Sequence, residues 1–241
     1  MREVVFTVTK NEEIAKNIYR MLLAGDTSDI TKPGQFVNIK IPSQYLRRPI
    51  SVCDWKNGEL TIIYKVIGDG TKELSKMMIG SELSILSGLG NGYELYKNSP
   101  VLIGGGVGVP PLYGLAKKFL EQNIKPRIIL GFNRSEECFY IKEFQSLGLN
   151  VEVATLDGSY GIKGLVTDIF EDQCEYAYVC GPSAMLKAVY KKIKDGQFSF
   201  EARMGCGFGV CMGCSIKTQS GYKRICKDGP VFRYSDIIWE N

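Results

Sequence analysis

Val101-Leu102-Ile103-Gly104-Gly105-Gly106-Val107-Gly108-Val109-Pro110-Pro111-Leu112 is the stretch on which the fold turns. Three apolar residues, two of them β-branched, read as a buried strand, the glycines as a tight turn, and the apolar spacing from Leu112 to Gln122 as a helix. A second β-branched run, Pro126 to Phe132, completes a βαβ unit. The rhythm continues through a strand at Asn150 to Ala154, a helix near Val166 to Phe170, a strand at Tyr176 to Cys180 and a helix from Ser183 to Lys194. A Rossmann-like α/β domain is expected over residues 98–197. A glycine turn between strand and helix is where such a domain binds a nucleotide, which makes Gly104, Gly105, Gly106 and Gly108 candidate cofactor residues. Pro110 stands one residue before the place of the third glycine of the G-x-G-x-x-G pattern, so the match is imperfect. Cys180-Gly181-Pro182 ends a later strand, and strand C-termini line the cofactor crevice in this architecture.

Upstream the pattern is different. Glu3 to Thr9, Ile18 to Leu23, Gln35 to Ile41, Glu59 to Val66 and Glu82 to Leu86 are short β-rich runs punctuated by Gly, Pro and Asn, and they predict an antiparallel β-barrel over residues 1–97. Within it, Arg48-Pro49-Ile50-Ser51 opens a strand. Ile63-Tyr64-Lys65 precedes Gly68-Asp69-Gly70-Thr71 at the start of a short helix, Lys72 to Met78. Together these offer an arginine for a pyrophosphate, a hydroxyl for a flavin ring, and backbone N–H groups for a phosphate.

Downstream of Gln197 no strand or helix period is visible, and residues 198–241 hold four of the eight cysteines among many glycines. Cys206, Cys211, Cys214 and Cys226 are spaced C-x4-C-x2-C-x11-C, and the first three fit the plant-type spacing of 2Fe-2S ligands. A structural zinc site would more often show two C-x2-C pairs, and here only Cys211 and Cys214 make one. With no histidine in the chain, a Rieske centre is excluded. Gly205, Gly207, Gly209 and Gly213 are expected to bend the ligand loop, freeing backbone amides to face the sulfurs. Cys53, Cys138, Cys174 and Cys180 are too scattered to form a second site.

The order Arg48 to Ser51, Tyr64 with Gly70-Thr71, Gly104 to Pro111 and Cys180 to Pro182 resembles the ferredoxin-reductase family of FAD and NAD(P) enzymes. Glu201 to Gly209 and Cys226 to Phe232 narrow the resemblance to the electron-transfer subunits of class 1B dihydroorotate dehydrogenases, and it spans essentially the whole chain. The resemblance implies FAD at Arg48 to Ser51, Ile63 to Lys65 and Gly70-Thr71, NAD in the α/β domain, and a 2Fe-2S cluster on the four tail cysteines. It also implies a partner subunit that carries FMN and oxidises dihydroorotate, in a heterotetramer with two of each chain. Electrons would pass from that partner through the cluster and FAD to NAD+ in pyrimidine biosynthesis, with no side chain of this chain acting as acid, base or nucleophile. Leu89-Gly90-Asn91-Gly92-Tyr93 is similar to a family stretch ending in phenylalanine, and no consequence is expected of the tyrosine. The residues themselves leave NAD and NADP open, since Asn133, Arg134, Glu136 and Glu137 offer both a cation and carboxylates near the second strand. The resemblance implies NAD. Two other readings remain: the reductase subunit of a sulfide dehydrogenase, ferredoxin or hydrogenase complex, and a zinc-stabilised binding module without activity.

The formal charge of +4, spread along 241 residues, gives no footprint for nucleic acid. Met1 to Arg20 mixes charged and apolar residues, unlike a secretory signal, so a cytoplasmic protein is expected. The uncharged stretch Asn98 to Ala116 is too rich in Gly and Pro for a spanning helix, so no membrane association is expected.

Overall fold

The computed structural model describes residues 1–96, 99–170 and 174–239; the expected boundary at 97/98 and the last two residues lie outside them. The first part is a closed antiparallel barrel of β1 (Arg2–Ala15), β2 (Ile18–Ala24), β3 (Phe36–Ile39), β4 (Arg48–Lys56), β5 (Glu59–Lys65) and β6 (Glu82–Leu89), with α1 (Asp69–Leu74) between the last two. Around the barrel the order is β1-β2-β5-β4-β3-β6. β1 closes it by pairing with β6 through Arg2 to Thr7 and with β2 from Thr7 onward, and irregularities after Val8 and Glu13 bend the strand between its two partners. Alternate residues point inward, so Phe6, Val8, Leu23, Val37, Ile39, Val52, Ile62, Leu83 and Ile85 fill the interior.

The second part is a sheet of β7 (Val101–Gly105), β8 (Arg127–Phe132), β9 (Val151–Thr155), β10 (Ile162–Lys163), β11 (Ala177–Cys180) and β12 (Gly196–Ser199), with α2 (Pro110–Glu121), α3 (Ile141–Ser146) and α4 (Ser183–Tyr190). These strands are parallel, in the order β10-β9-β8-β7-β11-β12. The chain therefore reverses its direction of travel between β7 and β11, and the crevice above that switch point is where ligands bind in doubly wound sheets. The expected helix at Val166 to Phe170 is only a 3₁₀ turn, Val166 to Asp168, and α3 was not foreseen. The charge-free Asn98 to Ala116 stretch contributes β7 and the first half of α2, and among the described residues no helix is long and apolar enough to cross a membrane.

The tail differs from its patternless sequence. β13 (Ser215–Thr218) and β14 (Gly221–Arg224) form a hairpin, α5 (Ile225–Asp228) is a single turn carrying Cys226, and β15 (Val231–Arg233) returns to pair antiparallel with β12 at the sheet edge. These strands are only three or four residues long, too short for a period to show.

Several contacts fix the barrel against the sheet and its helices. α2 lies on β4 so closely that a Cβ on Gly114 would stand 2.8 Å from the carbonyl oxygen of Cys53. Lys117 on α2 pairs with Asp54 on β4, and Lys16 with Glu136 at 2.8 Å. Tyr93, fully buried, donates its hydroxyl to the carbonyl of Val179 on β11 at 3.2 Å, so the tyrosine for which no consequence was expected ties the barrel's exit to the sheet. Gly114→Val should wedge α2 away from β4 and cost about 1–3 kcal/mol, as overpacking does. Thermal unfolding would read this as a lower Tm; an unchanged Tm would mean that α2 does not rest on the barrel.

Candidate functional site

A cavity of about 600 Å³ sits at the switch point between β7 and β11. All three parts of the chain wall it. The barrel supplies Phe36, Pro49, Ser51 and Lys65, the sheet supplies Gly105, Gly106, Gly108 and the Cys180-Gly181-Pro182 turn, and the tail supplies Phe200, Glu201, Ala202, Met204 and Pro230. Nine residues singled out from the sequence thus meet at one place: Pro49, Ser51, Lys65, Gly105, Gly106, Gly108, Cys180, Gly181 and Pro182.

The glycines are required there. A Cβ on Gly108 would lie 2.3 Å from the carbonyl oxygen of Cys180 and 2.6 Å from the nitrogen of Gly181, so the two turns pack backbone to backbone. Gly106 takes φ +50 and has open space around its missing Cβ, leaving that face of the turn clear. Gly104, by contrast, is buried under Leu112 and Val109 and does not reach the cavity. The Cys180 thiol is pushed up to about 12, chiefly by burial, so it stays protonated at neutral pH.

On the barrel side the ladder between β4 and β5 stops at Val52 and Ile62. Beyond it, Arg48 to Ser51 pair only with β3, and Ile63 to Lys65 pair only with β2. The facing edges of the two segments therefore present backbone groups outside any ladder, beside the cavity that Ser51 and Lys65 line. Side chains divide differently. Ile63 packs into the core between barrel and sheet, and Tyr64 points into the barrel, where it stacks on Tyr19 and donates its hydroxyl to Asn11 at 2.9 Å. Ile50 packs against the barrel core.

Arg48, Gly70 and Thr71 gather outside the cavity proper. The Arg48 guanidinium lies where a Cβ on Gly70 would be, with Nε 2.5 Å from that point, and donates to the carbonyl of Leu46 at 2.6 Å. The Thr71 hydroxyl accepts from the N–H of Ile67 at 3.0 Å and of Gly68 at 3.3 Å, so it shapes the turn and is not free for a ligand. The structure thus separates these three from the cavity residues while placing an arginine on the first turn of α1.

The four tail cysteines come together as two pairs. Cys211 Sγ accepts from the N–H groups of Cys206 and Gly213 at 3.5 Å, and Cys206 Sγ from Val210 at 3.3 Å and Cys211 at 3.5 Å. Cys214 Sγ accepts from the N–H of Cys226 at 3.4 Å. Burial, the largest single influence, opposes the Cys206 thiolate, but the backbone N–H groups of Cys211, Phe208 and Val210 and the Cys211 thiol outweigh it and bring the pKa down to about 6. For Cys226, burial and the adjacent Cys214 push the thiol up to about 12, so a metal must displace a proton there. Among the described residues, no group of three or more His, Cys, Asp or Glu side chains is set to hold one metal ion. Two thiol pairs wrapped in N–H donors are instead the donor set that suits a two-iron cluster, with one pair for each iron.

Only part of the expected bending falls to glycine. Gly207 and Gly209 take φ +79 and +89, whereas Gly205 and Gly213 have ordinary φ; a Cβ on Gly205 would crowd Cys211 Sγ at 3.2 Å, and one on Gly213 would make an ordinary contact at 3.5 Å. Met212, between Cys211 and Cys214, instead takes the left-handed conformation, φ 62.

Of the residues weighed for nucleotide choice, Asn133 and Glu137 line the cavity, while Arg134 and Glu136 do not. Asn133 Nδ2 donates to Glu137 at 2.9 Å, and Lys65 faces the same carboxylate at 3.7 Å. Phe36, Phe200 and Glu201 were not foreseen as wall residues. Phe200 and Glu201 lie shortly before the cysteine loop; Glu201 opens the family-like stretch Glu201 to Gly209, and no sequence signal marks Phe200.

Two family profiles match the chain: the iron-sulfur cluster binding domain of dihydroorotate dehydrogenase B over residues 201–238, and the oxidoreductase NAD-binding domain over residues 102–191. A relative from Fusobacterium nucleatum is 43% identical over 251 aligned positions, covering 96% of each chain, and one from a Geobacillus species is 40% identical over 256, covering 99% of each. Both are named dihydroorotate dehydrogenase B (NAD(+)), electron transfer subunit. Among solved structures, a chain from the NADH-dependent reduced ferredoxin-NADP oxidoreductase superimposes with TM-score 0.87 at 29% identity, covering 97% of this chain and 90% of that one. Phthalate dioxygenase reductase shares the fold, with TM-score 0.69 at 16% identity over 91% of this chain and 87% of that one. The thiol pairs, the nucleotide crevice and the near full-length identity agree: the chain belongs to the family of dihydroorotate dehydrogenase B (NAD(+)) electron transfer subunits.

Proposed function

We propose that this chain takes electrons from a catalytic subunit that oxidises dihydroorotate and delivers them to NAD+, using one FAD and one 2Fe-2S cluster. The observation that carries the proposal is a cavity walled jointly by barrel, nucleotide turn and tail, with two of the tail cysteines, Cys214 and Cys226, packed in the same apolar group as its wall residue Phe36. When bound, the flavin exchanges hydride with a nicotinamide and single electrons with the cluster, which is the chemistry that lets a chain without an acid or base of its own serve here.

The backbone edges of Arg48 to Ser51 and Ile63 to Lys65 would hold the flavin, and Ser51, on the cavity wall, would donate to its ring. Arg48 over Gly70-Thr71 would meet the pyrophosphate. Gly104 to Gly108 and Cys180 to Pro182 would hold the nicotinamide nucleotide, with Gly104 acting only as a close-packed support. Glu137 and Asn133 on the cavity wall favour a 2'-hydroxyl, hence NAD. Cys206 with Cys211, and Cys214 with Cys226, would each hold one iron. The working division is residues 1–97 for FAD, 98–197 for NAD and 198–241 for the cluster. The partner would carry FMN, in a heterotetramer of two copies of each chain. The cytoplasm suits eight cysteines that form no disulfide with one another.

A second reading is favoured by the 29% identity and TM-score of 0.87 to the ferredoxin-NADP oxidoreductase chain: a reductase subunit serving a different catalytic partner. Co-expression with an FMN-carrying dihydroorotate dehydrogenase subunit decides between them. A complex loaded with FAD and cluster should reduce NAD+ when given dihydroorotate; a fully loaded complex that does not would remove the pyrimidine role and leave the second reading.

Cys226→Ser in that complex should abolish acid-labile sulfide and lower dihydroorotate-driven NAD+ reduction by more than about 100-fold, beyond the cost of losing an outer partner of a metal ligand. NADH-driven reduction of a soluble dye, which needs only the flavin, should persist. Undiminished dihydroorotate-driven NAD+ reduction in a variant that has lost its labile sulfide would place the cluster outside the electron route. Because burial pushes Cys180 up to about 12, iodoacetamide at pH 8 should leave it unlabelled in the native chain and label it in urea, as mass spectrometry would show. Rapid native labelling would reveal a thiol free to act as an acid or base.

A further inference from the structure

We infer that Asn38 is a positioning residue for electron exchange: by holding the Cys206 carbonyl away from the thiols, it sets the reduction potential of the cluster. The inference rests on the 2Fe-2S assignment proposed above. β3 alternates, with Val37 and Ile39 inside the barrel and Phe36 and Asn38 on its outer face. Phe36 lines the cavity and packs with Cys214 and Cys226. Asn38, two residues along, is 1% exposed, and its Nδ2 donates to the carbonyl oxygen of Cys206 at 3.2 Å. Gly207 presses on the same amide, since a Cβ there would lie 2.3 Å from Nδ2.

The neighbouring peptide groups are sorted by direction. The Cys206 sulfur receives the N–H groups of Val210 and Cys211, while the Cys206 carbonyl points to Asn38. Positive dipole ends therefore face the thiols, and a negative one is held off by a residue from the barrel, outside the ligand loop. Among the described residues, Asn38 Oδ1 is buried without a partner. A leucine of the same branched shape would carry no unpaired oxygen of its own but would leave the Cys206 carbonyl without its donor, so the amide is explained by what Nδ2 does. Without that donor the Cys206 carbonyl can turn toward the sulfurs, where its negative end opposes the arrival of an electron. The step concerned is the gain of one electron, with no bond made or broken in the chain.

The test is an EPR-monitored redox titration, with dithionite as reductant, of the full chain in its complex and of the variants Asn38→Leu, Asn38→Asp and Asn38→Ser. Flavin and acid-labile sulfide are measured on each. Asn38→Leu should make the cluster about tenfold harder to reduce, which for one electron is 59 mV. Asn38→Asp, which offers only acceptors to the Cys206 carbonyl and adds a negative charge, should shift it further in the same direction. Asn38→Ser, which keeps a donor, should fall between Asn38→Leu and the unaltered chain. If Asn38→Leu does not retain its cluster, Asn38→Ser decides. Cluster-loaded variants whose potential equals that of the unaltered chain would overturn the inference. An unaltered chain without EPR signal or labile sulfide would instead overturn the cluster assignment.

Discussion

Electron exchange falls off steeply with separation, so two redox groups held by one chain must be kept a few atoms apart by packing that does not give. Here that packing is the outer face of β3. Phe36 lines the cavity and belongs to the same buried apolar cluster as Cys214 and Cys226, and Asn38 is bonded to the loop of Cys206. The tail's other end is held by Asn91, whose side chain donates to the carbonyl of Val231 at 2.7 Å and accepts from its N–H at 3.1 Å. The cysteine-bearing segment is thus fastened to the barrel's strands and exit near its first and last cysteines. A loop whose sulfurs collect N–H groups would be ill defined in position if it were anchored only to itself.

The cavity follows from a second constraint, the close approach of two turns at the switch point. Gly108 against Cys180 and Gly181 leaves no space for a side chain, and the carbonyl and amide groups so brought together form one wall. The barrel forms the opposite wall by interrupting its own ladder after Val52 and Ile62. A sheet that continued to pair there would satisfy its own backbone and have nothing to offer a ligand.

Much of this was legible in the residues. The switch from short β-rich runs to a βαβ rhythm at Pro100 marks the change from barrel to doubly wound sheet, because periodicity follows directly from which faces are buried. The cysteine spacing pointed to the tail, where the structure gathers the four thiols as two pairs. What could not be read was orientation. Tyr64 and Thr71 lie in the family-like motifs, yet the first spends its hydroxyl on Asn11 and the second on the N–H groups of Ile67 and Gly68. A motif fixes where the backbone runs, and neighbours remote in sequence decide where each side chain points. The same remoteness hid Phe36 and Asn38, which look like ordinary barrel residues until the tail is laid across them. Tyr93 was passed over because its role depends on Val179, far along the chain.

The tail leaves the sheet at β12 and comes back at β15, and those two strands pair side by side. The cysteine segment is therefore an excursion from a hairpin whose stem is already zipped into the sheet edge. Strand pairing holds its two ends together, so the sheet edge shares the entropic cost of closing the excursion with whatever the cysteines bind.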